Sequence, residues 1–308
     1  MTPAFPDPHP TTSTTPEVAI CEVGPRDGLQ AEDQIIATED KVAFIERLAD
    51  AGLETVEATS FVSPKWVPQL ADSAEVFAGV RHLKNVHLPV LVPNERGLDL
   101  ALAAGVESIA VFVSATESFA RNNLNTGWQE ALAAAEKVTS AALASGMQVR
   151  GYVSMCFGDP WEGRVPIDDV LSVARRLFAA GCSEVSLGDT IGVATAGHIR
   201  ELLGRFTAEE RTRLALHAHD TYGQALANVL AGLDSGIRIF DSAAGGLGGC
   251  PFAGSATGNL ATEDLVWMLE GMGISTGVDL QSLVEASSRM AELLGRNSPS
   301  SVVHALSA

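Results

Sequence analysis

The chain of 308 residues is 46% hydrophobic and 19% charged, which suits a folded protein with a sizeable core and excludes wholesale disorder. Its formal net charge of −18 opposes binding along a phosphate backbone, which needs clustered Lys and Arg, so no nucleic-acid partner is expected. Charge, Gly or Pro interrupts every apolar run short of membrane-spanning length, and the four cysteines (Cys21, Cys156, Cys182, Cys250) form no Cys-x-x-Cys pair, so neither a membrane partner nor a zinc knuckle or disulfide framework is expected.

Residues 1–17 are rich in Pro and Thr, with no Lys or Arg and no apolar centre. They read as a disordered tail rather than a signal or transit peptide, and a cytoplasmic location is expected. From Val18 onward, strand patterns over 18–23, 55–58, 86–92, 108–113, 148–154, 184–187, 213–219 and 237–241 alternate with helical patterns. The helical stretches are 41–51, 71–80, 95–104, 129–145, 167–180, 196–206, 223–235 and 259–270. Several helices run into a glycine before the next strand (Gly52, Gly105, Gly146, Gly181, Gly236), as left-handed C-terminal caps require.

Pairing of eight strands with eight helices predicts an α/β fold, a (β/α)8 TIM barrel. A doubly wound open sheet would show Gly-x-Gly-x-x-Gly after the first strand, where this chain has Gly24-Pro25-Arg26-Asp27-Gly28. The stretch 280–294 predicts an additional C-terminal amphipathic helix, giving a tail over 1–17, a barrel domain over 18–294 and a C-terminal tail over 295–308.

A barrel builds its active site at the C-terminal ends of its strands. Arg26 and Asp27 follow the first strand, Glu57 the second and Asp189 the sixth, while His217 and His219 lie on the seventh. Spaced two apart, the histidines share one strand face. They read either as a metal pair or as hydrogen-bonded core histidines; Arg26 and Asp27 either as site residues or as a local salt bridge. Glu57 and Asp189 have a structural alternative too, as an ion pair with Arg26 or a helix cap. With Asn259 after the eighth strand, the N/O ligand set suits Mg²⁺ or Mn²⁺, and catalytic zinc stays open on ligand type. The glycine-rich stretch 243–259 predicts a lid or a phosphate-cradling loop, with no Gly-Lys-Ser/Thr to make it a Walker loop. Cys250, in its middle, reads as a reactive thiol rather than a packed one.

The chain resembles the 3-hydroxy-3-methylglutaryl-CoA lyases, a family of barrel metallolyases. The likeness rests on Glu22-Val23-Gly24-Pro25-Arg26-Asp27-Gly28-Leu29-Gln30, Thr59-Ser60-Phe61-Val62-Ser63-Pro64-Lys65-Trp66-Val67-Pro68 and Ser186-Leu187-Gly188-Asp189-Thr190-Ile191-Gly192. It also rests on His217-Ala218-His219-Asp220-Thr221-Tyr222-Gly223-Gln224-Ala225 and Gly245-Gly246-Leu247-Gly248-Gly249-Cys250-Pro251. The resemblance implies an acyl-CoA substrate split into acetyl-CoA and acetoacetate, the chemistry of leucine degradation and ketone-body formation. It implies Asp27, His217, His219 and Asn259 as metal ligands, Arg26 as the carbonyl-polarising cation and Cys250 as the lid thiol. Glu57, Asp189 and Glu263 match further functional positions, and His217 is a candidate proton carrier. A homo-oligomer, taken as a dimer, is expected. The alternatives are a related lyase acting on a citramalyl-like or longer acyl-CoA, and a Claisen-type acyltransferase. Ala31-Glu32-Asp33 replaces the Asn-Glu-Lys of animal members, which removes a positive charge near the entrance.

Overall fold

Short β-branched and aliphatic runs extend into strands, and longer stripes with apolar residues three and four apart coil into helices that cover them. The computed structural model describes residues 18–249 and 258–307. The barrel staves are β1 (Ala19–Glu22), β2 (Thr55–Val56), β3 (Thr59–Ser60), β4 (Val90–Leu91), β5 (Ser108–Ser114) and β6 (Gln148–Ser154), then β9 (Glu184–Gly188), β10 (Leu214–His217) and β11 (Ile239–Ser242). Between β6 and β9, β7 (Gly158–Asp159) and β8 (Gly163–Arg164) form a small antiparallel hairpin. The helices are α1 (Thr38–Asp50), α2 (Ser73–Val80), α3 (Glu95–Ala104), α4 (Glu117–Leu124), α5 (Trp128–Ala144), α6 (Ile167–Ala180), α7 (Ala196–Leu203), α8 (Ala208–Arg211), α9 (Ala225–Asp234), α10 (Thr262–Gly271), α11 (Leu280–Leu294) and α12 (Ser301–Leu306).

All pairings in the large sheet are parallel, in the order β2-β1-β11-β10-β9-β6-β5-β4-β3. Its two ends are halves of one stave. Between β2 and β3, the Glu57 N–H donates to the Glu22 carbonyl at 2.8 Å while the Ala58 N–H donates to the Pro89 carbonyl at 3.0 Å. One strand therefore bonds to β1 on one side and to the β4 region on the other, and the sheet closes into an eight-stave barrel. The break in regular pairing falls at Glu57, whose side chain turns inward and is fully buried.

The apolar core lies between staves and helices; Ile109, Val149, Val185 and Phe240 of the strands pack in one cluster with Leu132, Leu177 and Ile199 of the helices. Each such side chain contributes roughly 1.5–3 kcal/mol by leaving water. All five capping glycines have positive φ. At Gly52 a Cβ would also lie 2.3 Å from the Gly277 carbonyl oxygen, so both conformation and space require glycine there.

Three helices were not foreseen. The short polar α4 and α8 carry no long apolar stripe, and α8 stands on a Thr207/Glu210 capping box. The third, α12, falls in the stretch expected as a tail. Instead the chain folds back: the Ser300 hydroxyl and the Val302 N–H both donate to Asp264 at 2.8 Å, and Val303 is buried. Residues 1–17 lie outside the described residues. Among the described residues no helix is long and apolar enough to cross a membrane.

Candidate active site

After β1 the backbone makes one π-helical turn, Gly24–Gly28. Widening this turn sets Arg26 and Asp27 side by side at the barrel mouth. The Arg26 Nε–H donates to Glu57 Oε2 at 2.7 Å and Nη1 to Asp27 Oδ1 at 2.5 Å. Its guanidinium also lies 5.5 Å from the Tyr152 ring centre. Burial opposes the Arg26 charge, but Glu57 and Asp27 hold it charged more strongly. Burial likewise pushes the Asp27 carboxyl up, and the Arg26 guanidinium beside it more than offsets this, holding it well below the usual carboxylate range.

His217 ends β10 and His219 follows, both facing inward with Nε2 atoms 3.1 Å apart. The His217 Nε2 lies 3.9 Å from Asp27 Oδ2. Asp27, His217 and His219 bring one ligand atom each within 4.8 Å of one another. Asp241, at the end of β11, fixes the tautomer. Its Oδ2 takes the Nδ1–H of His217 at 3.2 Å, which leaves the lone pair on Nε2, facing Asp27. Burial holds the His219 ring down to about 3, reinforced by His217, so this imidazole stays neutral and able to ligate.

Asn259 is not helical, although the periodicity starting at 259 suggested it. It bridges antiparallel to His219, and α10 begins only at Thr262. Nδ2 donates to Asp27 Oδ2 and to the Leu247 carbonyl, both at 3.0 Å. That leaves its buried Oδ1 without a hydrogen-bond partner, as is the buried Nδ1 of His219. Such orphaned acceptors are rare in protein interiors. With Asp27, His217 and His219 each bringing a ligand atom to one place, the donor set fits a metal.

The remaining expected residues divide. Glu57 joins the cluster through Arg26, so its ion pair is real and also part of the site. Asp189 follows β9; its N–H donates to the His217 carbonyl at 2.9 Å, and both carboxylate oxygens accept the Ala194 N–H at 3.1 Å. Burial pushes this carboxyl up to about 7, with the Ala194 and Val193 N–H groups and His217 opposing. Glu263 stands apart, contrary to expectation. It is fully buried behind the glycine-rich segment, where it accepts the Gly245 N–H at 2.9 Å and the Ser287 hydroxyl.

Cys250 lies outside the described residues, but both flanks of its segment are fixed. The Gly258 N–H donates to the Gly248 carbonyl at 3.2 Å, and a Cβ on Gly248 would lie 2.8 Å from Asn259 Nδ2 and 3.2 Å from Gly28 Cα. The segment thus leaves and re-enters the fold beside Asp27 and Asn259. Sequence reasoning missed Asp241, Tyr152 and Arg150. A signal existed for Asp241, an acid at a strand end, and for Arg150, a charge inside an otherwise mostly apolar strand.

The fold and cluster agree with comparisons to known proteins. A family model described as HMGL-like matches residues 17–290. The mitochondrial hydroxymethylglutaryl-CoA lyase of Bos taurus is 50% identical over 290 residues, covering 94% of this chain and 89% of the relative. The cytoplasmic 3-hydroxy-3-methylglutaryl-CoA lyase of Danio rerio is 51% identical over 289 residues, covering 94% and 86%. The crystal structure of hydroxymethylglutaryl-CoA lyase from Pseudomonas aeruginosa superposes with a TM-score of 0.92 at 49% identity, covering 94% of this chain and 97% of that one. A closed parallel barrel carrying this motif set from end to end, and half its residues in common with these relatives, belongs to the hydroxymethylglutaryl-CoA lyase family of carbon–carbon lyases.

Proposed function

We propose that this chain cleaves 3-hydroxy-3-methylglutaryl-CoA to acetyl-CoA and acetoacetate, the step shared by leucine degradation and ketone-body formation. The observation that carries the reading is the meeting of Asp27, His217 and His219 within 4.8 Å, beside an arginine whose remaining N–H groups have no acceptor among the described residues. Asp27, His217, His219 and Asn259 would hold a divalent ion, Mg²⁺ or Mn²⁺, which would supply Lewis-acid charge to the bound substrate.

The chain's own residues do the rest. Asp189 takes the proton of the tertiary hydroxyl: burial has moved its carboxyl to about 7, near the value a base needs at neutral pH. Glu57 is ion-paired with Arg26 and bonded to Tyr152, and the free nitrogen of His217 faces Asp27, whereas the Asp189 carboxylate meets backbone N–H groups and carries no salt bridge among the described residues. As the carbon–carbon bond breaks, its electron pair passes to the thioester as an enolate. Arg26 faces the new oxyanion with preorganised charge. The Cys250 thiol then gives its proton to the enolate carbon, completing acetyl-CoA, and solvent carries the proton on Asp189 back to the thiolate.

Three described cysteines are buried free thiols, which suits a reducing compartment such as the cytoplasm. Near the entrance, Glu32 pairs with Arg296, so this corner keeps a cation that the Ala31-Glu32-Asp33 triplet alone does not supply. Incubating the purified protein with a panel of 3-hydroxy acyl-CoAs, with and without Mg²⁺, tests the proposal. Metal-dependent acetoacetate from the hydroxymethylglutaryl thioester supports it. Turnover confined to a longer or citramalyl-like acyl-CoA, or acyl transfer without cleavage, overturns it.

A further inference from the structure

We propose that Arg150 is the positioning residue of this active site, one guanidinium that aligns His217 through Asp241 and Arg26 through Tyr152 and Glu57. The inference rests on the lyase reading and deepens it. Arg150 lies near the start of β6, inside the barrel, with its side chain 9% exposed. Its donors fan out in three directions: Nε to Glu184 Oε1 at 2.5 Å, Nη1 to the Tyr152 hydroxyl at 2.6 Å and Nη2 to Asp241 Oδ1.

Two of these arms end on groups that in turn hold site residues, Asp241 against His217 and Tyr152 against Glu57. Asp241 splits its oxygens, Oδ1 to Arg150 and Oδ2 to the His217 Nδ1–H and the Ser186 hydroxyl. The carboxylate plane is thereby fixed, and with it the imidazole plane and tautomer. The Tyr152 hydroxyl, held by Arg150, donates to Glu57 Oε2 at 3.2 Å, the same oxygen that receives the Arg26 Nε–H. Arg150 therefore sets the two halves of the site, ligand and polarising cation, with one rigid fork. A lysine has one nitrogen and cannot span both arms. A purely structural role would be served as well by apolar packing, since buried ion pairs rarely outperform it.

A cavity of about 190 Å³ opens from the N-terminal end of the barrel onto Arg150, lined also by Cys21, His87, Ser108, Gln148 and Glu184. It admits a free guanidinium ion, which makes chemical rescue feasible. The test uses the full chain and the variants Arg150→Ala, Arg150→Lys and Asp241→Asn. It measures kcat and KM, and Mn²⁺ affinity from the EPR signal of the free ion. Removing such supporting contacts typically costs 10–100-fold, so Mn²⁺ should bind roughly 10–100 times more weakly in all three, with kcat down by about as much. KM should stay within about threefold. Millimolar guanidinium should raise kcat of Arg150→Ala by roughly tenfold and leave Asp241→Asn unchanged, because only the first has lost the fork that the ion replaces.

Mn²⁺ affinity within about threefold of wild type in Arg150→Lys and Asp241→Asn overturns the proposal, as does a failure of guanidinium to act on a folded Arg150→Ala. If Arg150→Ala does not fold, the lysine and asparagine variants decide. A wild-type protein without lyase turnover refutes the proposed function instead, and the Mn²⁺ measurements still decide the role of Arg150.

Discussion

Arg26→Lys separates charge from geometry at the polarising residue. Arg26 reaches Glu57 and Asp27 with two different nitrogens, at 2.7 and 2.5 Å. A lysine keeps the charge, but its single nitrogen cannot reproduce the two directions of the planar fork, and losing one buried charge-assisted hydrogen bond would cost roughly 1.5–3 kcal/mol. For a chain of this size that corresponds to a fall in Tm of roughly 2–5 °C. Catalysis should suffer more, because the remaining N–H groups that face the mouth vanish with the fork. Loss of a preorganised oxyanion donor typically lowers kcat by about 10²–10³-fold, and KM should move little because the loss is felt mainly in the transition state. Steady-state kinetics and thermal unfolding on one preparation distinguish these effects. A variant with lowered Tm but kcat within about threefold of wild type would return Arg26 to a structural salt bridge and refute the electrostatic role.

Gly248→Ala should weaken metal binding and turnover together: φ is +102° and the new Cβ would lie 2.8 Å from Asn259 Nδ2, adding roughly 1–2 kcal/mol of backbone strain; unchanged Mn²⁺ affinity would contradict this. Stability should fall as pH rises between about 4.5 and 8, because Glu263 is held protonated by burial up to about 8 when folded but ionises near 4.5 when unfolded. Across that window the unfolded state binds fewer protons, a loss on the order of 5 kcal/mol. Glu263→Gln should flatten that part of the Tm–pH curve, and an unaltered slope would locate the titration elsewhere. Cys250→Ala should keep its Tm and lose kcat by roughly 10²–10⁴-fold, whereas Cys182→Ala, at a fully buried site, should lose stability instead. Equal loss of turnover in both would remove the lid-acid assignment.

The strand and helix pattern was legible because most staves carry a short β-branched or aliphatic run and several helices end in a glycine that must take positive φ. His217 and His219 were legible for the same reason, since a spacing of two fixes a shared strand face. What periodicity could not supply was pairing across the barrel. Arg150 and Asp241 are 91 residues apart, as are Glu57 and Tyr152 by 95, and nothing local to either partner signals the other. The same gap explains Glu263: it is the second residue of α10, and nothing local to it shows that the Gly245 N–H and Ser287 claim it from behind the loop. Residues placed by local geometry were thus readable one at a time, while those placed by a shared hydrogen-bond partner required the closed barrel. The sites chosen for mutation follow from this division: Arg26 and Gly248 test local turns, whereas Arg150 and Asp241 test whether the distant half of the barrel holds the chemistry in place.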